Sequence, residues 1–236
     1  MLAGKRIIVL GGSSGIGFAV ARAALEQGAA VHIGSSSSEK VSAAVERLGE
    51  GASGAAIDLG DEASIETFLG NHGPFDHLVY TAGDWTRRKL KIGPEFDAGE
   101  AQASFDIRFW GILRTLKFAL PLMATDGSIT LTSGLFAHRP AKGSAFSTAL
   151  TGAVEHLTQG LAIELAPIRV NVVTPGFIAT EAWARLPADA VDAMVKDQPL
   201  PRAGDPAEVA EAYLYFMRGG FTTGQRAIVD GGALFA

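Results

Sequence analysis

Apolar positions along this chain fall in short runs alternating with longer, spaced ones. Lys5-Arg6-Ile7-Ile8-Val9-Leu10 is a brief β-branched run ending in glycines, and it predicts a buried strand. From Ile16 to Gln27, Ala, Val and Leu recur at helical spacing. The alternation continues, with strands predicted at Ala30–Ile33, Ala55–Asp58 and His77–Thr81 and helices between them at about Glu39–Leu48 and Asp61–Leu69. A long apolar helix is expected from Phe105 to Met123, closing near Pro121, followed by a strand at Ser128–Thr132. A second long helix, Gly143–Leu165, precedes a strand at Arg169–Val173, a helix at Ala207–Met217 and a closing strand at Ala227–Val229. Strands and helices alternating across short turns specify an α/β fold, a doubly wound parallel sheet with helices on both faces. The expectation is one domain over residues 1–236. Ser35–Ser38, the one homopolymeric run, follows the second strand and reads as a turn.

Composition narrows the function. With 47% hydrophobic residues in 236, the chain can bury a large core. Its net charge is -5, and no block of Lys or Arg points to nucleic acid or an anionic membrane. Arg87-Arg88-Lys89 is a three-residue basic cluster, read as a solvated loop. The absence of cysteine excludes disulfides and thiolate metal sites and permits a cytoplasmic location. No apolar stretch approaches the roughly 20 residues a bilayer span needs, and the N-terminus lacks a secretory pattern. No His, Asp or Glu cluster has metal spacing, so no metal site is expected.

Candidate chemistry begins at Gly11-Gly12-Ser13-Ser14-Gly15-Ile16-Gly17, which follows the first strand and opens the first helix. Glycines there allow a tight turn and let backbone approach a diphosphate, while the helix N-terminus offers free N–H groups and a positive dipole end. In this context the loop resembles the Thr-Gly-x-x-x-Gly-x-Gly signature of short-chain dehydrogenase/reductases, with Leu10 at the usual Thr. The resemblance runs over essentially the whole chain. Asp58-Leu59 is similar to the pair that meets the adenine ring. Tyr80-Thr81-Ala82-Gly83 stands at the usual Asn-Asn-Ala-Gly and keeps Ala82-Gly83. Ile168 to Gly176 resembles the Pro-Gly segment beside the nicotinamide, with Pro175-Gly176 at its end and Thr180 at a cofactor-contacting position. Val229-Asp230-Gly231-Gly232 resembles the family's closing motif. The resemblance implies a Rossmann-type fold, a substrate lid at about 177–200, and a homodimer or homotetramer with the two long helices packed against a partner.

The residues after the second strand bear on which dinucleotide binds. A carboxylate there accepts from both ribose hydroxyls and favours NAD. This chain has Ser35-Ser36, with Lys40 nearby, so nothing repels a 2′-phosphate and two hydroxyls can donate to it. NADP(H) is therefore favoured over NAD(H). The competing reading is that the serines cap the next helix.

The resemblance also implies a catalytic set of Ser, Tyr, Lys and Asn, and most of it is changed. Ser133 matches the serine, Phe146 stands at the tyrosine, Leu150 at the lysine and Arg108 at the asparagine. The tyrosines of the chain, Tyr80, Tyr213 and Tyr215, lie elsewhere. Arg108 stays charged at ordinary pH, so it can bind an oxyanion, a carboxylate or the ribose but cannot serve as an acid. The bland alternative pairs it with Asp106 or Glu155. His138 is the candidate proton donor with a suitable pKa, although a loop histidine is more commonly just solvated. With Phe146, Phe177 and Trp183 near the site, an apolar pocket for an aromatic or alicyclic substrate is expected. Two functions compete: an oxidoreductase working through Ser133 and Arg108 on a small, largely apolar carbonyl, alcohol or related substrate, and a catalytically silent NADP(H)-binding sensor or partner subunit. The intact glycine loop argues against a scaffold that has abandoned its cofactor.

Overall fold

The computed structural model describes residues 2–83, 90–181 and 187–236. The basic cluster Arg87-Arg88-Lys89 and the pocket residue Trp183 lie outside them. Seven strands form one parallel sheet in the order β3-β2-β1-β4-β5-β6-β7. They are β1 (Arg6–Leu10), β2 (Ala30–Ser35), β3 (Ala52–Ala56), β4 (Phe75–Tyr80), β5 (Met123–Thr132), β6 (Arg169–Pro175) and β7 (Arg226–Val229). The helices are α1 (Gly15–Glu26), α2 (Ser38–Leu48), α3 (Glu62–His72), α4 (Ala98–Phe105), α5 (Gly111–Ala119), α6 (Ala145–Glu164), α7 (Ala188–Val195) and α8 (Pro206–Arg218).

Alternation within the strands explains the layers, because successive side chains leave opposite faces of a sheet. Ile7 and Val9 of β1 join Val31, Ile33 and Val79 in a core closed by α1 and α8. Ile8 and Leu10 join Leu78, Tyr80, Ile129 and Leu131 in a second core closed by α3, α5 and α6. A continuous apolar run is what a strand buried on both faces requires.

Several elements depart from the sequence expectation, β5 among them: it starts at Met123, five residues ahead of Ser128. The third strand lies at Ala52–Ala56, three residues ahead of Ala55–Asp58, because it is an edge strand of small residues whose position is set by pairing, Val31 with Ala52 through Ser35 with Ala56. The expected helix Phe105–Met123 begins earlier, at α4, where Asp97 caps it by accepting from the Glu100 N–H at 3.0 Å. It then passes through one π-helical turn, Asp106–Trp110, into α5, and Met123 already belongs to β5. Finally, α7 forms within the expected lid, where no element was predicted; Val195 is its buried anchor.

Candidate active site

The C-terminal ends of β1 and β4 adjoin, Leu10 beside Tyr80, at the point where strand order reverses. Open α/β sheets bind ligands in that crevice, and the glycine loop and Ala82-Gly83 both emerge there. Gly11 holds φ +87°, and a Cβ on it would stand 2.7 Å from the Ala82 nitrogen and the Thr81 Oγ1. A Cβ on Gly17 would stand 2.5 Å from the same Thr81 Oγ1. Thr81 fastens the two loops by donating its N–H and its hydroxyl to the Leu10 carbonyl, at 2.8 and 3.0 Å. The glycines are thus demanded by a close backbone approach.

At the start of α1, Ser14 supplies no side-chain cap. The Gly15 N–H donates instead to the Glu181 carboxylate at 3.0 Å. An anion therefore stands at this helix N-terminus, where the free N–H groups and the dipole favour one, and the cradle fits a diphosphate. Glu181 was not singled out from the sequence. It lies 166 residues from Gly15, and only its place directly after Thr180 hinted at a role. Thr180 itself packs on the loop: its Cγ2 is 3.1 Å from where a Gly15 Cβ would be. Pro175 ends β6, and Gly176 passes so close to Asp230 that a Cβ would stand 2.7 Å from the Asp230 Cα.

The serine expected at the ribose, Ser35, lies against the glycine loop. Ser13 Oγ donates to Ser35 Oγ at 2.9 Å, and Ser36 is exposed beside it. The side-chain cap of α2 is Ser37, which accepts from the Lys40 N–H at 3.2 Å, so the capping reading of Ser35 and Ser36 does not hold. Asp58 is exposed and accepts from the Gly60 N–H at 2.8 Å; Leu59 beside it is buried. Ile16 stands in the first turn of α1.

At the other end of the crevice, the π turn presents Arg108, which is buried, with its Cγ 2.9 Å from the position a Gly83 Cβ would occupy. Of the carboxylates considered as its partners, Asp106 binds Arg114 at 2.6 Å, and Glu155 binds His138, Thr174 and Arg226. The π turn packs against α6, which carries Phe146 and Leu150. Leu150 is buried, and Phe146 meets Phe105 edge-on with ring centroids 6.3 Å apart. Phe105 in turn lies 5.1 Å from Phe109, which extends the aromatic wall.

Ser133 is fully buried and donates its hydroxyl to the Thr151 carbonyl of α6 at 3.1 Å. To hold a substrate oxygen, that hydroxyl must turn off the carbonyl. His138 is committed through Nε2 to both Glu155 oxygens, at 2.8 and 3.0 Å. Tyr80 and Tyr213 are buried, which pushes both phenols above their ordinary value. Tyr80 donates to the Ile107 carbonyl at 2.5 Å, and Tyr213 bonds to Thr132 at 2.6 Å. Phe177 lines a different space from Phe146, a cavity of about 660 Å³ between α1, α7 and the start of α8 that Phe18, Thr180, Val191 and Val195 also line.

Comparison with known proteins matches the chain over nearly its full length. A family model described as enoyl-(acyl carrier protein) reductase covers residues 11–233. The chain is 37% identical to the short-chain dehydrogenase/reductase ATR9 of Stachybotrys chlorohalonatus, over 98% of this chain and 97% of that protein. Among solved structures, it resembles a small-chain dehydrogenase in complex with NADPH, at 32% identity and TM-score 0.83, covering 99% of this chain and 100% of the other. It also resembles the MalC reductase/Diels-Alderase of Malbranchea aurantiaca, at 32% identity and TM-score 0.91, covering 100% of this chain and 98% of the other.

Proposed function

This chain belongs to the short-chain dehydrogenase/reductase family of oxidoreductases, and we propose that it is an NADP(H)-dependent member acting through an atypical site on a small, largely apolar carbonyl, alcohol or related acceptor. The observation that carries the cofactor reading is the Ser13–Ser35 hydrogen bond at the end of β2. It ties the Ser35 hydroxyl, which stands where a carboxylate would select NAD, to the glycine loop. The solved neighbour in complex with NADPH supports the same choice. In this reading Gly11, Ser13, Ser14, Gly15, Ile16 and Gly17 hold the diphosphate. Ser35 and Ser36 hold the 2′-phosphate, Asp58 and Leu59 meet the adenine, and Ala82, Gly83, Pro175, Gly176 and Thr180 border the nicotinamide end.

NADPH supplies a hydride, which needs only an oriented electrophilic carbon. Arg108, permanently charged, is suited to hold an oxyanion, a carboxylate or the ribose. Phe146 and Leu150 replace the family's proton donor and its lysine with apolar surface. Carbonyl reduction is thereby deprived of the ~10²–10⁴ that general acid catalysis contributes. An activated imine or conjugated alkene loses less, because it depends less on that proton. The aromatic wall of Phe105, Phe109 and Phe146 suits an aromatic or alicyclic body. Trp110 and Ile163, exposed on the two long helical segments, support a homodimer or homotetramer. The absence of cysteine accords with a cytoplasmic protein.

The test is fluorescence titration with NADPH and NADH, then a panel of carbonyl, imine and alkene acceptors. Tighter binding of NADPH, reversed by Ser35→Asp, is the expected result, followed by turnover that falls on Arg108→Ala. Tight NADPH binding with no hydride transfer to any acceptor identifies the silent binding protein instead. Binding of neither dinucleotide overturns both readings.

A further inference from the structure

The direction in which Arg108 points depends on a local change of helix type. α4 and α5 form one rod interrupted by the π turn Asp106–Trp110. Such a turn inserts one extra residue into the α-helical repeat and disturbs the carbonyl pairing around it. Here the carbonyl of Ile107, the residue before Arg108, accepts the phenol proton of Tyr80, the last residue of β4, at 2.5 Å.

Three observations tie this contact to the site. A Cβ on Gly111 would stand 2.5 Å from the Tyr80 hydroxyl oxygen, so the rod reaches the phenol only because a glycine follows the turn. Asp106 opens the turn and pairs with Arg114 at 2.6 Å, and Arg114 also reaches the Leu59 carbonyl at 3.4 Å, which anchors the turn from its outer flank. Three residues beyond Tyr80, Gly83 leaves the space that the Arg108 side chain fills. One stretch of chain, 80–83, therefore grips the π turn twice, through a hydroxyl at Tyr80 and through a missing side chain at Gly83.

We propose that Tyr80 is a positioning residue: its hydrogen bond to the Ile107 carbonyl holds the π turn that aims Arg108 at Gly83, beside the cofactor loop. The proposal rests on the reading in which Arg108 works in the site. Tyr80 itself exchanges no proton with substrate, because it is buried and its hydroxyl is spent on the Ile107 carbonyl. Without the bond, the rod relaxes to a regular α-helix. Taking up the extra residue of the turn shifts one flank by one residue of register, a rotation of about 100° about the axis. Arg108 then leaves Gly83.

Two readouts test this. The first requires no acceptor: a crystal structure of Tyr80→Phe is expected to show continuous α-helix across 98–119 with Arg108 withdrawn from Gly83. An unchanged π turn in that variant overturns the proposal. The second is a double-mutant cycle, with kcat, KM and NADPH affinity measured for Tyr80→Phe, Arg108→Ala and the pair. Tyr80→Phe is expected to lower kcat by about tenfold or more, since displacement of a working group by about 1 Å can cost up to 10²-fold. NADPH affinity should stay within about twofold, and Tyr80→Phe should cost nothing further once Arg108 is gone. Gly111→Ala, pressing on the phenol from the other side, should reproduce the loss. Equal losses from Tyr80→Phe with and without Arg108 would mean a merely structural role and refute the proposal. No loss on Arg108→Ala alone refutes instead the catalytic reading of Arg108, while the crystallographic arm still decides what Tyr80 does.

Discussion

Single side chains here are settled by what lies within 3 Å of them. Gly17 is a clear case: its Cβ would stand 2.5 Å from the Thr81 hydroxyl, so Gly17→Ala should cost about 1–3 kcal/mol through overpacking and weaken NADPH binding. Urea denaturation and a cofactor titration would read the two effects. His77 offers a pH-dependent counterpart. It is buried between β4 and β5 with Nδ1 2.9 Å from the Ser128 hydroxyl, and burial lowers its pKa from 6.5 to about 4. Between those values the unfolded chain binds a proton that the folded chain refuses. Stability should therefore be complete above pH 6.5 and decline as pH falls toward 4. His77→Gln should reduce that slope, leaving the part contributed by His32 and His72, whose pKa values burial also lowers; urea midpoints at several pH values measure it. At this scale the sequence pointed to the glycines, Ser13, Ser35 and Arg108, because residue type limits what a position can do. It did not reveal that Ser133 faces α6 or that Ser37 is the cap, because a hydroxyl serves several partners and only neighbours select one.

At the scale of elements, burial pattern and capping chemistry account for most boundaries. α8 begins in a capping box: Asp205 accepts from the Ala207 N–H at 2.8 Å, and Glu208 accepts from the Asp205 N–H at 2.7 Å. Because α8 packs directly on α1, Asp205→Ala should destabilise the whole fold by about 1 kcal/mol rather than merely fray one end. Calorimetry would show a lower, still single, transition. Strands β1, β4, β5 and β6 were legible because apolar runs of that length fit a sheet covered on both sides. The π turn was not, since Phe105 to Trp110 carries an ordinary helical pattern. Its signal lies in Tyr80 and Gly111, one of them on a different element. α7 was missed because an eight-residue helix with Val195 as the one buried side chain among its described residues carries little periodicity.

For the molecule as a whole, the order β3-β2-β1-β4-β5-β6-β7 places the cofactor loop, Gly83 and the π turn along one crevice. If the two long helical segments form the partner face, Ile163→Asp should lower the association state in sedimentation without altering the circular dichroism of the fold. Ile163 is 83% exposed, so the charge has no core to disturb. Element type, the two-faced sheet and the place of the glycine loop follow from the chain's own pattern, because hydrophobic period and turn chemistry act over a few residues. The placement of Glu181 against α1, of Tyr80 against Ile107 and of Ser133 against Thr151 joins residues 166, 27 and 18 positions apart. No local pattern encodes such pairings. They arise when the packed sheet brings distant segments into one crevice, where burial favours a partner for Tyr80 and Ser133 and the start of α1 favours an anion such as the Glu181 carboxylate.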